Sequence, residues 1–317
     1  MVTLIWIDFT SSVCPDSNLL KPCICFKDEI RCGGNEDIDL VKIFQTLEKQ
    51  LPITGKHFTS FILNNKAVTE LKENTFSDIT FDYIKIEECS KLKSIDQNAF
   101  SKTDLVTKQI TIWYNPSLSS PSIFTTLSKF INITMIHLLN NNITEIPSKA
   151  FENHQDKLKE FSITGLKKIG NNAFSQLRNL GSLGIEYSLI DSIPENEFEF
   201  YEESKEMLTL SLYGNPLLNS SGFSEHSLTK FKRPCTIQLG NISNSKFTYF
   251  DERVFLPFLR SNSKNTIQLI DGSVDCSDCR NFWLKKNPNL LNQLIDLKCS
   301  NGKLLNDPGT FQDCKSD

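Results

Sequence analysis

A phenylalanine recurs about every 25 residues along most of this chain of 317 residues, and this spacing limits the fold more than any other feature. Successive copies lie 23 to 32 residues apart, and upstream of each one two apolar residues flank a third in a strand-like segment. A fixed period of roughly 20 to 50 residues is the sequence mark of a solenoid, in which each unit packs on its neighbours. The copies are Phe76, Phe100, Phe124, Phe151, Phe174, Phe198, Phe223 and Phe255.

The clearest unit, residues 180–198, fits the leucine-rich repeat pattern LxxLxLxxNxLxxI, with Ser188 at the asparagine position. Asn141 and Asn215 occupy that position in other units, and Cys89 occupies it in an earlier one. We therefore predict an α/β leucine-rich repeat solenoid. It would be a curved right-handed horseshoe with a parallel sheet of about nine strands on its concave face and an irregular or short helical convex side. An ordinary α/β protein would need longer helical stretches than this sequence offers.

Each predicted strand contributes two apolar residues to the core, because side chains alternate between the two faces of a strand. The repeating phenylalanines are expected to pack on one another as a spine near the convex side. The side-chain amides of Asn141 and Asn215 are expected to satisfy backbone groups of neighbouring turns. The predicted inward pairs are Phe61/Leu63, Ile84/Ile86, Ile110/Ile112, Ile136/Leu138, Phe161/Ile163, Leu183/Ile185, Leu210/Leu212, Ile237/Leu239 and Ile267/Leu269.

The cysteines divide the chain into segments. Of the ten cysteines, four lie within residues 14–32 and four within residues 276–314. Clusters at both ends of a repeat array are typical of disulfide-bonded caps. We predict a partial or atypical signal segment at 1–13, an N-terminal cap at 14–55, leucine-rich repeats at 56–274 and a C-terminal cap at 275–317.

Both caps contain a segment with helical spacing. In the C-terminal cap, a helix is predicted to begin at Arg280 and to run toward Leu294. In the N-terminal cap, apolar residues at helical spacing predict an amphipathic helix that covers the first strand. Its predicted buried face comprises Ile38, Val41, Phe44, Leu47 and Leu51.

Two cysteines, Cys89 and Cys235, lie outside the caps. Six strands at about 4.8 Å would separate them by roughly 30 Å. A disulfide requires Cα atoms within about 7 Å of each other. The two residues are therefore expected to be free, buried thiols that act as small core residues.

Four Asn-x-Ser/Thr sequences are candidate glycosylation sites. Each is a weak signal in a chain rich in these residues, and Asn142 is the weakest because it lies beside Asn141. The candidates are Asn132, Asn142, Asn219 and Asn241.

No motif in the sequence indicates catalysis. Cys276-Ser-Asp-Cys279 could be a redox pair or half of a zinc site, but a zinc ribbon needs a second CxxC, and Cys299 and Cys314 lie fifteen residues apart. The cap interpretation is therefore favoured. The four histidines, His57, His137, His154 and His226, show no metal-binding or catalytic spacing, and no nucleotide-binding motif is present. We predict a protein that is not an enzyme and needs neither cofactor nor metal.

Charge and hydropathy narrow the range of partners. A formal net charge of −4 disfavours a nucleic acid partner. The sequence contains no run of 18 apolar residues, so no membrane span is predicted. A protein partner is expected, and its identity and the oligomeric state are left open.

The concave face is where solenoids usually bind. Trp113 and Tyr213 are the strongest candidates, because exposed aromatic residues supply many binding hot spots. The alternative is that they only pack on edge loops. The predicted partner-binding residues are Tyr83, Lys85, Trp113, His137, Glu186 and Tyr213.

The sequence resembles a secreted arthropod family of leucine-rich repeat proteins named after the non-catalytic subunit of oplophorus-luciferin 2-monooxygenase. The resemblance lies in Pro22-Cys-Ile-Cys25, in the segment from Ile84 to Phe100, and in the C-terminal run that ends at Phe311-Gln-Asp-Cys314. It implies a secreted accessory protein without catalysis. Similarity to leucine-rich repeat caps further implies the disulfides Cys14–Cys25, Cys23–Cys32, Cys276–Cys299 and Cys279–Cys314.

The leading hypothesis is a secreted, non-catalytic protein that binds another protein through its concave sheet, as an accessory subunit, carrier or extracellular matrix component. One alternative is an innate-immune protein that recognises microbial glycan or lipid. Another is a truncated ectodomain of a cell-surface receptor. An enzyme with an active site assembled from separated residues is the remaining possibility.

Overall fold

The backbone forms a stack of repeats around one sheet, which is parallel except for the antiparallel pair of its first two strands. A computed structural model of the protein describes residues 14–119, 122–151, 157–195, 198, 200, 205–231, 233–240 and 247–314. The predicted signal segment at 1–13 lies outside the described residues.

Twelve strands form the main sheet in the described part of the chain. The predicted inward residues lie opposite one another in parallel register, from Phe61 opposite Ile84 to Ile237 opposite Ile267. The leucine-rich repeat fold is thus confirmed, but the number of strands exceeds the predicted nine because the caps add three. The strands are β1 (Ile24–Phe26), β2 (Glu29–Gly34), β3 (His57–Asn65), β5 (Thr80–Glu87), β7 (Gln109–Trp113), β8 (Met135–Leu139), β10 (Glu160–Thr164), β12 (Ser182–Glu186), β13 (Leu208–Ser211), β14 (Cys235–Gly240), β15 (Thr266–Ile270) and β16 (Leu294–Ile295).

The connections between these strands contain only short elements. Two small parallel pairs form, β4 with β6 and β9 with β11. The two-residue strands are β4 (Glu70–Leu71), β6 (Ser94–Ile95), β9 (Glu145–Ile146) and β11 (Lys168–Ile169). The α-helices are α1 (Ser17–Leu20), α2 (Leu40–Gln50), α3 (Ile123–Leu127), α4 (Glu252–Ser261) and α5 (Phe282–Lys286). The 3₁₀ turns are Ile53–Gly55, Thr103–Leu105, Ser220–Gly222, Cys279–Asn281 and Pro288–Gln293.

The recurring phenylalanines are buried and stack between repeats, but they do not form one in-phase spine. Phe100 packs on Phe130 and not on the recurring Phe124, with 5.3 Å between the ring centroids of Phe100 and Phe130. Phe198 stacks on Phe231, with 6.3 Å between their ring centroids, whereas the recurring Phe223 packs on Phe247 and Phe255. Extra residues in the longer repeats shift which ring reaches the shared position. The central stack comprises Phe124, Phe151, Phe174, Phe198 and Phe231.

A row of buried polar side chains links consecutive repeats behind the strands. Asn141 Nδ2 donates to Ile112 O at 2.8 Å, and Asn141 Oδ1 accepts from Asn115 Nδ2 at 3.0 Å. Asn115 Nδ2 donates in turn to Ile86 O at 3.2 Å, and its Oδ1 accepts from the Cys89 N–H at 2.9 Å. The expected role of Asn141 is therefore present, and Asn115 is a further member that the sequence analysis missed.

The N-terminal cap covers the first repeat with α2. Asp39 accepts a hydrogen bond from the Lys42 N–H at 3.0 Å and so fixes the start of the helix. The buried face comprises Leu40, Ile43, Phe44 and Leu47, whereas the predicted Ile38, Val41 and Leu51 are only partly buried. Disulfides join Cys14 to Cys25 and Cys23 to Cys32.

The C-terminal cap closes the other end with short helical pieces. The predicted continuous helix from Arg280 to Leu294 is wrong, because α5 ends at Lys286 and a 3₁₀ turn begins at Pro288. Buried Trp283 donates through Nε1 to Phe250 O at 2.9 Å and so ties the cap to the last repeat. Disulfides join Cys276 to Cys299 and Cys279 to Cys314.

Cys89 and Cys235 are free and buried. Burial is the main cause that raises the pKa of the Cys89 thiol to about 11. Burial also raises the pKa of the Cys235 thiol, and the nearby charge of Arg233 offsets this only in part. Because the thiolate is the nucleophile, both thiols should be inert in the folded protein.

The oxidised native protein is therefore expected to show almost no reaction with iodoacetamide at pH 8. After denaturation without reductant, Cys89 and Cys235 should be labelled, since they are then exposed. Peptide mapping by mass spectrometry identifies the labelled residues and the disulfide-linked peptides. Native labelling of either residue at the rate of a free cysteine, or label on a cap cysteine, would contradict this assignment.

Candidate functional site

The side of the main sheet turned away from the core is the concave face of the solenoid. Its outward positions form three rows across the strands, set by the parallel register. All six predicted binding residues lie at outward positions of this face or directly after a strand. Five of them fall into two groups, because β5 and β13 are five strands apart, roughly 24 Å, and His137 lies between the groups.

The N-terminal group surrounds Lys85. Its Nζ lies 2.5 Å from Glu87 Oε2 and 5.9 Å from the centroid of the Trp113 ring. Tyr83, two residues before Lys85 on the same strand, is exposed. Trp113 also packs at 6.0 Å on the ring of Tyr114. The charges of this group are paired, so aromatic surface is its main resource for binding.

His137 occupies the middle of the face and belongs to neither group. Its Nε2 lies 2.7 Å from Glu160 Oε1 on the next strand. The ring is partly buried, which leaves limited surface for a ligand. The structure therefore supports an orienting contact within the sheet for this residue.

The C-terminal group combines two carboxylates with two tyrosines. Tyr213 Oη donates to Asp271 Oδ2 at 3.0 Å. The ring of Tyr187 meets that of Tyr213 edge to face, with centroids 5.6 Å apart. Ser211 Oγ donates to Glu186 Oε1. We call Glu186, Tyr187, Tyr213 and Asp271 the acidic corner.

Desolvation is the main cause that raises the pKa of the Tyr213 phenol, followed by its hydrogen bond to Asp271 and the charge of that carboxylate. Tyr187 and the charge of Glu186 act in the same direction. The raised pKa keeps the Tyr213 phenol protonated to higher pH than usual, so it remains a donor to Asp271. The negative charge of the corner therefore resides on the carboxylates.

Tyr187 and Asp271 were not among the predicted residues. Both lie in the turn that follows a strand, with left-handed backbone φ values of 45° and 49°. Each lies four positions after the first inward residue of its repeat, Leu183 or Ile267. That fixed offset is the sequence signal that could have found them.

Gly240 allows the phenol of Tyr213 to reach across β14 to Asp271. It ends β14, the strand between those of Tyr213 and Asp271, where it lies opposite Ile270 with a φ of 130°. A Cβ at this position would lie 2.0 Å from Ile270 O. Glycine is therefore required here both by the backbone conformation and by the close approach of β15.

The rest of the C-terminal half is covered by side chains that bond to one another across strands. Thr236 and Thr266 are joined at 2.8 Å between their Oγ1 atoms, and Gln238 Nε2 donates to Gln268 Oε1 at 2.9 Å. Gln268 Nε2 donates to Asp296 Oδ2 at 3.1 Å. These bonds hold the surface rigid and leave it polar.

The candidate glycosylation sites have different environments. Asn142 is exposed, although its place beside Asn141 made it the weakest candidate. Asn132 is partly buried and donates through Nδ2 to Leu105 O. Asn219 Oδ1 accepts from Ser221 Oγ at 2.6 Å. Asn241 lies outside the described residues.

The described residues also bear on two other kinds of site, a metal site and a membrane span. Within the described ranges, no three His, Cys, Asp or Glu side chains are grouped so as to hold a metal ion. No helix among the described residues has the length and apolarity needed to cross a bilayer. The candidate residue His154 lies outside the described part.

Comparison with known proteins agrees with this geometry. The chain matches the BspA-type leucine-rich repeat region, in six copies, over residues 53–180 and 128–252. It is 23% identical over 330 aligned positions to the oplophorus-luciferin 2-monooxygenase non-catalytic subunit of Oplophorus gracilirostris, covering 94% of this chain and 87% of that protein.

Two solved structures are also similar. Human 5T4, the Wnt-activated inhibitory factor 1 or trophoblast glycoprotein, has a TM-score of 0.53 at 14% identity, covering 96% of this chain and 98% of its own. TLR13 in complex with ssRNA13 has a TM-score of 0.48 at 15% identity, covering 74% of this chain and 39% of its own. Since the repeat match spans well over half of the residues, this chain belongs to the BspA-type leucine-rich repeat proteins.

Proposed function

We propose that this chain is a secreted, non-catalytic leucine-rich repeat protein that binds another protein through its concave face. Its role would be that of an accessory subunit, a carrier or an extracellular matrix component. The observation that carries the proposal is the concave face itself. A continuous sheet presents aromatic and charged side chains there, including exposed Tyr83 and the partly exposed Trp113 and Tyr213.

Two further observations support the proposal. Four disulfides close the two caps, and disulfides persist in oxidising compartments such as the extracellular space. The relative from Oplophorus gracilirostris bears the name of a non-catalytic subunit, and it aligns with nearly the whole chain. A subunit acts by assembly with another protein, which is the activity that we propose here.

The acidic character of the chain favours a protein over a nucleic acid as the partner. The formal net charge is −4, and phosphate groups would be repelled by the carboxylates of the concave face. Asn132, Asn142, Asn219 and Asn241 remain proposed glycosylation sites of the secreted form. Treatment with a glycosidase followed by mass spectrometry would locate any glycans.

Affinity capture with matched variants tests the proposed function. The oxidised full chain is immobilised and exposed to extracellular fluid of the organism that produces it, and bound proteins are identified by mass spectrometry. The wild type should enrich a protein that the double variant W113A/Y213A binds at least about tenfold less well, since aromatic hot spots often contribute 2 kcal/mol or more.

The control for capture is the double variant L105A/I131A. Leu105 and Ile131 are about half exposed and lie in connections before the strands, away from the concave face. This variant should bind the partner as the wild type does. Failure of the wild type to enrich any protein, or equal binding by W113A/Y213A, would contradict the proposed function.

A further inference from the structure

Charge is unevenly distributed over the concave face. In the N-terminal half, the carboxylates Glu29 and Glu87 are paired with Arg31 and Lys85. Among the described residues from β10 to β16, no outward position of a strand holds a lysine or an arginine. Four carboxylates stand on this half or in the turns that follow its strands: Glu160, Glu186, Asp271 and Asp296.

The carboxylates of the acidic corner are oriented but not neutralised. Glu186 is held by Ser211 and Asp271 by Tyr213, in each case through one oxygen. Among the described residues no lysine or arginine lies within ion-pair distance of either carboxylate. Each carboxylate therefore retains an oxygen for a donor from another molecule, and both donors that hold them are uncharged.

The tyrosines add a second means of binding a cation. Tyr187 is 51% exposed, and its ring stands edge to face with that of Tyr213. A guanidinium or ammonium group over such a ring gains about 0.5–2 kcal/mol. An arginine also donates in pairs to a carboxylate, so one side chain can contact Glu186 and a tyrosine together.

The shape of the face favours a chain segment that lies across several strands. The floor beside the corner is made of small residues, and a Cβ at Gly184 would approach Ser162 Oγ to 3.0 Å. Glu186 lies on β12 and Asp271 directly follows β15, and these strands are three apart in the sheet, or roughly 14 Å. Basic side chains a few residues apart on an extended segment can therefore reach both carboxylates.

We propose that the C-terminal half of the concave face binds a basic segment of the protein partner, with its arginine or lysine side chains at Glu186, Tyr187, Tyr213 and Asp271. This inference rests on the proposed function, because it assigns a chemistry to the segment that the concave face would bind. The charge of this half is complementary to such a segment and repels an acidic one. The N-terminal half, with its paired charges, would contribute aromatic contacts.

Binding of a defined peptide tests the charge recognition. An oligoarginine peptide blocked at both ends is titrated into the oxidised full chain by calorimetry, with a citrulline peptide of equal length as the uncharged control. The wild type should bind only the arginine peptide, with an affinity that falls as sodium chloride rises, because salt screens exposed charges.

Two double variants locate the binding. E186Q/D271N should weaken the arginine peptide at least about tenfold, because it removes both carboxylates of the corner. E70Q/E145Q removes two exposed carboxylates from the small convex strands and should change affinity less than about twofold. The single variant Y187A should weaken binding about threefold or more, through the lost cation–π contact.

The inference is overturned if the wild type does not bind the arginine peptide, or if both double variants weaken it equally. E186Q/D271N is also carried through the affinity capture. If the wild type and this variant enrich the same protein equally, the basic-segment inference is wrong and the proposed function stands. If no protein is enriched at all, the proposed function is contradicted, whatever the peptide assay shows.

Discussion

Replacing Asn115 with alanine is expected to lower the free energy of unfolding by about 4 kcal/mol. The side chain is fully buried and bonds to the Cys89 N–H and to the Ile86 and Trp113 carbonyls. Without the Asn115 side chain these buried backbone groups lose their hydrogen-bond partner, which costs about 1–3 kcal/mol of stability for each unsatisfied group. Urea unfolding of the oxidised chain, monitored by circular dichroism, measures the change.

Asn142 provides the matched control for this prediction. It is an exposed asparagine only one residue from Asn141, so alanine there should change the free energy of unfolding by less than about 0.5 kcal/mol. The protein for both variants is made without glycosylation, so that the sugar does not enter the comparison. A similar loss at both positions would show that the buried row does not stabilise the stack as argued.

Replacing Phe174 with alanine is expected to cost about 3–5 kcal/mol of stability. The ring is fully buried and stacks on Phe198 at 6.1 Å and on Phe151 at 6.4 Å between ring centroids. Its removal leaves a cavity in the middle of the central stack, which the rigid neighbours cannot fill. The same urea experiment measures the loss.

Two further substitutions show whether the loss of stability comes from the buried cavity or simply from replacing a phenylalanine. Phe26 is 66% exposed, and alanine there should be nearly neutral. Leucine at Phe174 restores much of the volume and should cost less than half as much as alanine. The explanation is excluded if alanine at Phe26 and at Phe174 have equal effects.

Most of the repeat geometry could be predicted, because the same pattern of apolar residues recurs many times along the sequence. A spacing of about 25 residues sets which strand pairs with which, and the first inward residue of each predicted pair, from Phe61 to Ile267, lies opposite its counterpart. The phenylalanine stacks could not be predicted to the same degree. Spacing along the chain does not say which ring, Phe223 or Phe231, reaches Phe198 in space.

The caps were predicted less well because each is a single instance. Helical periodicity alone did not give the start of α2. The helix begins at Leu40 after the Asp39 cap, and its buried face includes Leu40 and Ile43. In β2, Ile30 and Cys32 lie opposite the inward pair of β3. A pattern of apolar residues does not reveal this strand, because a disulfide-bonded cysteine takes one of its two inward positions. Strand β16, with two residues, is too short to show a period.

In the acidic corner, the sequence predicted only the residues whose positions follow the alternation of a strand. Glu186 and Tyr213 follow from the alternation of side chains, whereas Tyr187 and Asp271 depend on a left-handed turn that returns their side chains toward the face. The pairing of Tyr213 with Asp271 spans 58 residues and three strands of the sheet. A contact of this range follows from the stack and cannot be found in a single repeat.

The ends of the main sheet have a consequence for assembly. Its two terminal strands, Ile24–Phe26 and Leu294–Ile295, have only three and two residues, whereas β3 has nine. A long open edge would offer unpaired N–H and C=O groups with which another chain could extend the sheet. By shortening both edges, the caps leave little template for end-to-end polymerisation, so an array of repeats can stop at a fixed length and stay dispersed.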